Sequence, residues 1–223
     1  MLPYWTTVVP YRLGRLVSRI FVNKRLKLST RFIGVEKVPR QGPVMLVANH
    51  LKAVDSVLIG LACRRQISFL AKSEYFRENS LKGVLVSGIF RLIGQISVDR
   101  SGGKAVPALE QAVNRLGKGK VVGIHVEGTR SLDGRLYDAQ RGFALIAKKS
   151  KATVVPVAEV YHGDEVAEVL FGDPIPYSEY RVWSTKHFAS EVTKRIQHLS
   201  KQDLAGRVAD IASKVRGALP GAK

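Results

Sequence analysis

The sequence predicts an α/β fold: a mostly parallel central sheet flanked by helices, with an amphipathic N-terminal helical segment. Three observations carry that prediction. Six short apolar runs of strand length recur along the chain, separated by helical stretches, the alternation that builds a parallel sheet with covering helices. The 223 residues are 45% hydrophobic, enough to bury one α/β core and cramped for two full domains. No period marks a repeat, and no low-complexity tract interrupts the pattern.

Residues 1–28 are the first segment. In MLPYWTTVVPYRLGRLVSRIFVNKRL, Leu13, Leu16, Val17, Ile20 and Phe21 fall at i, i+3, i+4, i+7 and i+8, one face of a helix. Arg12, Arg15 and Arg19 edge that stripe, and Tyr4, Trp5 and Tyr11 gather near its start. The arginines interrupt any approach to the roughly 20 apolar residues that span a bilayer. The segment also lacks the charged leader and small-residue cleavage site of a secretory signal. Two readings fit the stripe equally: a helix lying in a membrane interface with its aromatics at headgroup level, or a first helix laid on the domain core.

Residues 29–223 are the α/β domain. VMLVA (44–48) opens it as a strand, and SVLIGLACRR follows with Val57, Leu58 and Leu61 at helical intervals. Further strands are expected at ISFLA (67–71), GQISV (94–98), VVGIHV (121–126), TVVPVA (153–158) and EVLFG (168–172). The apolar run LKGVLVSGIFRLIG (81–94) reads as a buried helix. After residue 184, Phe188, Val192, Ile196 and Leu199, then Leu204, Val208, Ile211 and Val215, predict two polar-faced helices that cover the sheet or lie beside the N-terminal helix.

Charge narrows the partners. The chain carries a formal net charge of +18. Residues 1–40 hold nine basic residues against Glu36, a local balance of 9 − 1 = +8. Such a field attracts a polyanion, either nucleic acid or an anionic membrane surface. The N-terminal aromatics cluster with aliphatic residues instead of alternating with basic ones, and no nucleic-acid-binding module is present, so the membrane surface is favoured. Cys63 is the single cysteine, which excludes an intramolecular disulfide and a cysteine-based metal cluster and fits a reducing compartment.

The chemistry gathers first in LVANHLKAVDS (46–56). His50 and Asp55 are five residues apart, which on one regular helix would set them about 140° apart around the axis. The apolar run before His50 and the helical spacing after Asp55 place the histidine at a turn leaving a strand and the aspartate in the first turn of a helix. From there the carboxylate can curl back to accept a hydrogen bond from one imidazole nitrogen, leaving the other as a base. A capping or partly buried histidine, with an aspartate favoured by the helix dipole, explains the same spacing. Two more loops follow predicted strands, where open α/β sheets place ligands. In GQISVDRSGGK and HVEGTRSLDG, Arg100 and Arg130 stand beside glycine-freed backbone, an arrangement suited to phosphate.

With these residues in view, the sequence resembles the glycerolipid acyltransferase family, whose best-known members are 1-acyl-glycerol-3-phosphate acyltransferases. NHLKAVD, GQISVDR, VEGTRS and VVPVA match its four blocks in order, from residue 49 to residue 158, about half of the chain. Two departures stand out: Ser97 replaces a common proline in the second block, and His125 and Val126 replace an aromatic followed by proline before Glu127. They affect loop stiffness and substrate choice before chemistry. His125 itself reads as a strand residue.

The resemblance implies acyl transfer from a thioester, acyl-CoA or acyl carrier protein, to the free hydroxyl of lysophosphatidic acid, giving phosphatidic acid in phospholipid synthesis. His50 would be the general base and Asp55 its orienting partner. Arg130, Arg100 and Lys72 would hold the acceptor phosphate, and Glu127, Gly128 and Thr129 would position the substrate, with a backbone amide near Gly128 facing the oxyanion. The 81–94 run would line an acyl groove if it is not a core helix. No metal and no cofactor are expected, only the thioester co-substrate. Cys63 reads as packing, since no serine or cysteine nucleophile is needed when the hydroxyl attacks directly. A peripheral protein on the cytoplasmic face of a membrane, not bound to nucleic acid, follows from that function. The same chemistry on glycerol 3-phosphate, another lysophospholipid or a glycolipid stays open, as does a basic nucleic-acid-binding protein in which the histidine is structural.

Overall fold

The computed structural model describes residues 11, 14–16, 18–76, 84, 87, 88, 94–99 and 106–206. Within them the strands are β1 (Ser29–Ile33), β2 (Val44–Ala48), β3 (Ile67–Lys72), β4 (Ile96–Val98), β5 (Val121–His125), β6 (Leu136–Tyr137), β7 (Thr153–His162), β8 (Val166–Phe171) and β9 (Leu204–Gly206). The principal helices are α1 (Asp55–Ala62), α2 (Val106–Gly117), α3 (Gly142–Ser150) and α4 (Thr185–Ser200). Seven strands form one sheet in the order β1-β8-β7-β2-β5-β3-β4. The strands from β7 to β4 run parallel; β8 folds back antiparallel on β7, and β1 pairs parallel with β8. All six expected strands form, and the sheet is the mostly parallel one the alternation predicts.

Both faces of the sheet are covered, which is why its central strands read as unbroken apolar runs. Successive residues of β2 divide between two cores: Met45 and Val47 pack with α2, α3 and α4, whereas Val44, Leu46 and Ala48 pack with Leu58, Ile59 and Leu61 of α1. Cys63 belongs to the α1 core and is buried, as the packing reading expects.

Strand β1 escapes sequence reading because its burial alternates between exposed and half-buried, without a buried residue to mark it. One expectation is corrected. The stretch from Leu204 does not begin a second covering helix; Leu204–Gly206 is strand β9, paired with β6. Helix α4 ends at Lys201 in the left-handed conformation, φ 59°, which redirects the chain, and Leu204 is exposed, so its place in the apolar spacing does not reflect a core. Val208, Ile211 and Val215 lie outside the described residues. So do residues 1–10, with Tyr4 and Trp5, together with Arg12, Leu13, Val17 and Arg100. Of the 81–94 run, only residues 84, 87, 88 and 94 are described, the first three of them helical.

Residues 14–16 and 18–20 are helical. Tyr11 donates its hydroxyl to the Arg65 carbonyl at 3.1 Å, and Arg15 Nη2 donates to the Leu61 carbonyl at 2.6 Å. Val22 and Leu28 enter the α1 core. The helix is thus docked along one edge, while Leu16 at 56% and Ile20 at 49% exposure turn their apolar side chains outward. No helix among the described residues is long and apolar enough to cross a membrane.

Because β2, β5 and β7 are adjacent and parallel, their C-terminal ends bring His50, His125 to Glu127, and Glu159 to Tyr161 to one rim of the sheet. That rim is where an open parallel sheet holds its ligands.

Candidate active site

The predicted strand–turn–helix around His50 and Asp55 forms. β2 ends at Ala48, and Asp55 is the first residue of α1. Across the turn, His50 Nδ1 lies 2.9 Å from Asp55 Oδ2. The same oxygen accepts the Leu51 amide at 2.6 Å and the Lys52 amide at 2.9 Å, and Tyr161 donates its hydroxyl to Oδ1. Asp55 is fully buried, and burial alone would raise its pKa; the hydrogen bonds from His50, Tyr161 and Leu51 outweigh that and hold the carboxyl below its ordinary range. An ionised Asp55 only accepts, so Nδ1 carries the ring proton and Nε2 keeps its lone pair. The His50 side chain is 21% exposed, open enough to meet a ligand from one side.

The third block fixes the backbone of this turn from the other side. Glu127 Oε1 accepts the His50 amide at 2.7 Å, and Oε2 accepts the Tyr137 amide at 3.0 Å. Ser131 donates its amide to the His50 carbonyl at 2.8 Å. Both backbone polar groups of the histidine are therefore tied to the 127–131 turn. Glu127 itself is buried, and burial pushes its pKa up to about 7 against the pull of the two amide donors. Its carboxyl faces the histidine loop, so any positioning it performs acts through that loop. Gly128 has φ +76°, a conformation that glycine adopts without strain, and its amide closes the turn on the His125 carbonyl at 3.2 Å. That amide is engaged and not a free donor for an oxyanion.

Thr129 and Arg130 stand exposed on this turn, and Lys72 is exposed at the end of β3 on the same rim. A cavity of about 360 Å³ beside the His50 loop is bordered by Leu51, Lys52, Ser131, Tyr161 and Gln202. Cys63 is held inert: burial pushes its thiol up to about 12.

Sequence reasoning missed the residues that brace the dyad. The His125 ring stacks on the His50 ring, centroids 3.9 Å apart and planes 14° apart, with Phe69 on its other side at 5.6 Å. Gly123 makes room for this stack, since a Cβ there would collide with the Phe69 ring. His125 Nδ1 donates to the Asn49 carbonyl at 2.6 Å, which leaves Nε2 to accept from Ser56 Oγ at 2.9 Å. Asn49 bridges to β7 through both backbone groups of Glu159, at 2.9 and 2.8 Å. The only local signal was a polar Asn49 ending an apolar strand and a glutamate in the inward row Val155, Val157, Glu159, Tyr161.

His50, Asp55 and His125 each bring a possible ligand atom within 4.8 Å of the others. Parallel rings aim their in-plane nitrogens side by side and not toward one point, and both Asp55 oxygens already accept donors. The arrangement is that of a hydrogen-bonded His50–Asp55 pair with a second histidine stacked on it.

Comparison with known proteins agrees with the fold. The solved 1-acyl-sn-glycerophosphate acyltransferase of Thermotoga maritima superposes with a TM-score of 0.66 at 22% identity, covering 85% of this chain and 80% of that one. In sequence, the 1-acyl-sn-glycerol-3-phosphate acyltransferase of Borreliella burgdorferi is 27% identical over 125 residues, 56% of this chain and 48% of that protein. The chloroplastic 1-acyl-sn-glycerol-3-phosphate acyltransferase of Arabidopsis thaliana is 28% identical over 163 residues, 70% of this chain and 44% of that protein. The chain thus spans about half the length of these relatives. The acyltransferase family model matches residues 29–160, which contain the dyad, the Glu127 turn and the first part of β7; this chain belongs to the acyltransferase family.

Proposed function

We propose that the protein transfers a fatty acyl group from a thioester to the free hydroxyl of 1-acyl-glycerol-3-phosphate, forming phosphatidic acid. The observation that carries this reading is the His50–Asp55 pair, 2.9 Å apart, with its carboxylate buried and its ring open on one side. An alcohol is a poor nucleophile at neutral pH, and a base in hydrogen-bond reach takes its proton as attack proceeds. His50 Nε2 is that base, Asp55 holds the ring and stabilises the imidazolium, and the imidazolium returns its proton to the departing thiolate. Acyl-CoA or acyl carrier protein supplies the thioester; no other cofactor enters.

The exposed guanidinium of Arg130, with Lys72 and Arg100, holds the acceptor phosphate, so that the hydroxyl meets His50 and the thioester together. Glu127, Gly128 and Thr129 fix the turn that carries Arg130 and ties down the histidine loop. The cavity beside Leu51 and Tyr161 gives the acceptor's head room to enter. The N-terminal segment meets an anionic membrane on its cytoplasmic face through its outward side, with Leu16 and Ile20 in the acyl boundary and Arg19 at the headgroups. What supports the acceptor is the name shared by the relatives in Borreliella and Arabidopsis.

Incubation of the purified chain with palmitoyl-CoA and a panel of acceptors, with mass detection of products, tests this. Phosphatidic acid from lysophosphatidic acid is expected, and His50→Ala should lower its rate by about 100-fold or more. Product only from glycerol 3-phosphate, another lysophospholipid or a glycolipid would overturn the acceptor, and undiminished turnover in His50→Ala would overturn the mechanism.

A further inference from the structure

Among the described residues, Glu159 is a buried acid near the dyad that the mechanism above does not use. It sits on β7 in the row Val155, Val157, Glu159, Tyr161, whose side chains alternate onto the α1 side of the sheet; Val155, Val157 and Tyr161 pack in the α1 core. Glu159 is 0% exposed, and among the described residues neither of its carboxylate oxygens has a hydrogen-bond donor. A carboxylate stranded in this way is costly. A valine or leucine would continue the row without that cost, so packing does not call for an acid here.

The row points the Glu159 carboxyl toward Asp55: Tyr161, two residues on in the same row, donates its hydroxyl to Asp55 Oδ1, and Asp55 is among the groups that raise the Glu159 pKa. Two neighbouring carboxylates that are both fully buried do not both ionise; they share a proton. The donor sets decide who holds it. Asp55 receives the Leu51 amide, the Lys52 amide, His50 Nδ1 and the Tyr161 hydroxyl, all of which favour the charged form. Glu159 receives none. Burial, first, and the charge of Asp55 raise the Glu159 pKa well above the ordinary carboxylate range. With a proton on Glu159, the apparent orphan becomes a donor facing an acceptor.

We propose that Glu159 is a neutral carboxylic acid that donates its proton to Asp55, making it a third, positioning member of a His50–Asp55–Glu159 chain and setting how strongly Asp55 draws on the His50 ring. The inference rests on His50 being the base. Its geometry is rigid: Asn49, the residue before His50, holds the amide and the carbonyl of Glu159 at 2.8 and 2.9 Å, so acid, aspartate and histidine are one clamped unit. A donor on Asp55 disperses its charge and weakens its hold on the proton at His50 Nδ1. The groups that share this environment are His50 and Asp55 from the β2–α1 turn, Tyr161 from β7, His125 from the end of β5, Glu127 from the turn after it, and Lys52, whose ammonium lies 4.4 Å from the Tyr161 ring centre.

The sign of one shift tests the proposal. Glu159→Gln keeps a donor, its amide NH₂, whereas Glu159→Met removes the donor at similar volume. On the full chain, the titration midpoint of the His50 ring by NMR without substrate, and the acid limb of kcat/KM for acyl transfer, are read for wild type and both variants. In Glu159→Gln both stay within about 0.3 pH unit of wild type; in Glu159→Met both move up by about one unit, with up to about tenfold less activity on the acid side. A downward shift in either variant would mean that Glu159 is anionic, and equal shifts in the two or none in Glu159→Met would mean it is no donor; each overturns the proposal. Should Glu159→Met not fold, infrared difference spectra decide: the carbonyl band of a protonated carboxylic acid at neutral pH is present in wild type and lost in Glu159→Gln, and its absence from wild type overturns the proposal. An NMR shift of the expected sign in a protein without acyl transfer would leave the carboxyl pair standing and remove the proposed function alone.

Discussion

Replacing Asp55 by asparagine removes one charge and little else. Oδ2 accepts three donors, His50 Nδ1 at 2.9 Å and the Leu51 and Lys52 amides at 2.6 and 2.9 Å. An asparagine carbonyl in that place accepts all three, and its NH₂ faces the Tyr161 hydroxyl, which can turn to accept. The ring stays oriented, but the imidazolium that forms during proton removal has no counter-charge. A neighbouring carboxylate shifts an imidazole's protonation balance by about 1–3 pH units, which is roughly 1.4–4 kcal/mol and a rate loss of about 10- to 1,000-fold. Asp55→Ala differs in kind. It strands two amides and the Tyr161 hydroxyl against a position that is 0% exposed, and at about 1–3 kcal/mol per stranded donor it should lower unfolding stability by about 3–9 kcal/mol, a large share of a typical domain's total. Thiol release from palmitoyl-CoA with lysophosphatidic acid reads the rate, and urea unfolding reads the stability. Asp55→Asn turnover within threefold of wild type, or instability equal to that of Asp55→Ala, would refute the separation of charge from scaffold.

Arg130→Ala should raise the KM for phosphorylated acceptors by about tenfold or more while leaving the thioester KM unchanged, because only a charge-assisted hydrogen bond to phosphate is lost; steady-state kinetics with both substrates varied would expose an unaltered acceptor KM. Leu16→Asp combined with Ile20→Asp alters side chains that are already outside the core and should weaken cosedimentation with vesicles of anionic phospholipid by at least about tenfold without changing the melting temperature. Undiminished vesicle binding would remove that face from the membrane contact. Glu127 gives a pH signature: its folded pKa, about 7, lies above its ordinary value, so the folded state holds the extra proton, and the associated stability is complete below about pH 4.5 and is lost as pH rises through 7. Glu127→Gln, which sets an NH₂ against one of the two backbone amides, does not titrate. The stability difference between wild type and this variant should therefore fall by on the order of 2–3 kcal/mol between pH 4.5 and pH 8, and urea midpoints showing a constant difference would contradict it.

The chain by itself determined the parts that are coded within short stretches. The apolar run 44–48, the turn at His50 and the helical spacing after Asp55 lie within twenty residues, so local pattern placed the strand, the histidine turn and the aspartate at the helix start, and the 2.9 Å contact between the two side chains follows from one turn. The glycine and arginine of the third block were likewise visible, although not the inward aim of Glu127. Tertiary structure alone decided what surrounds the dyad. Parallel pairing sets Ala48 opposite His125 on one side and Val157 on the other, which brings one histidine to stack on His50 and delivers Glu159 and Tyr161, just beyond Val157, to Asp55. Slipping either strand by one residue would turn the other face of β5 or β7 toward the site. That register is fixed by crossovers and core packing across more than a hundred residues, and no local propensity of β5 or β7 encodes which strand will lie beside it. The same dependence on a distant partner made Leu204–Gly206 a strand, since only the backbone at Leu136–Tyr137 tells it to pair.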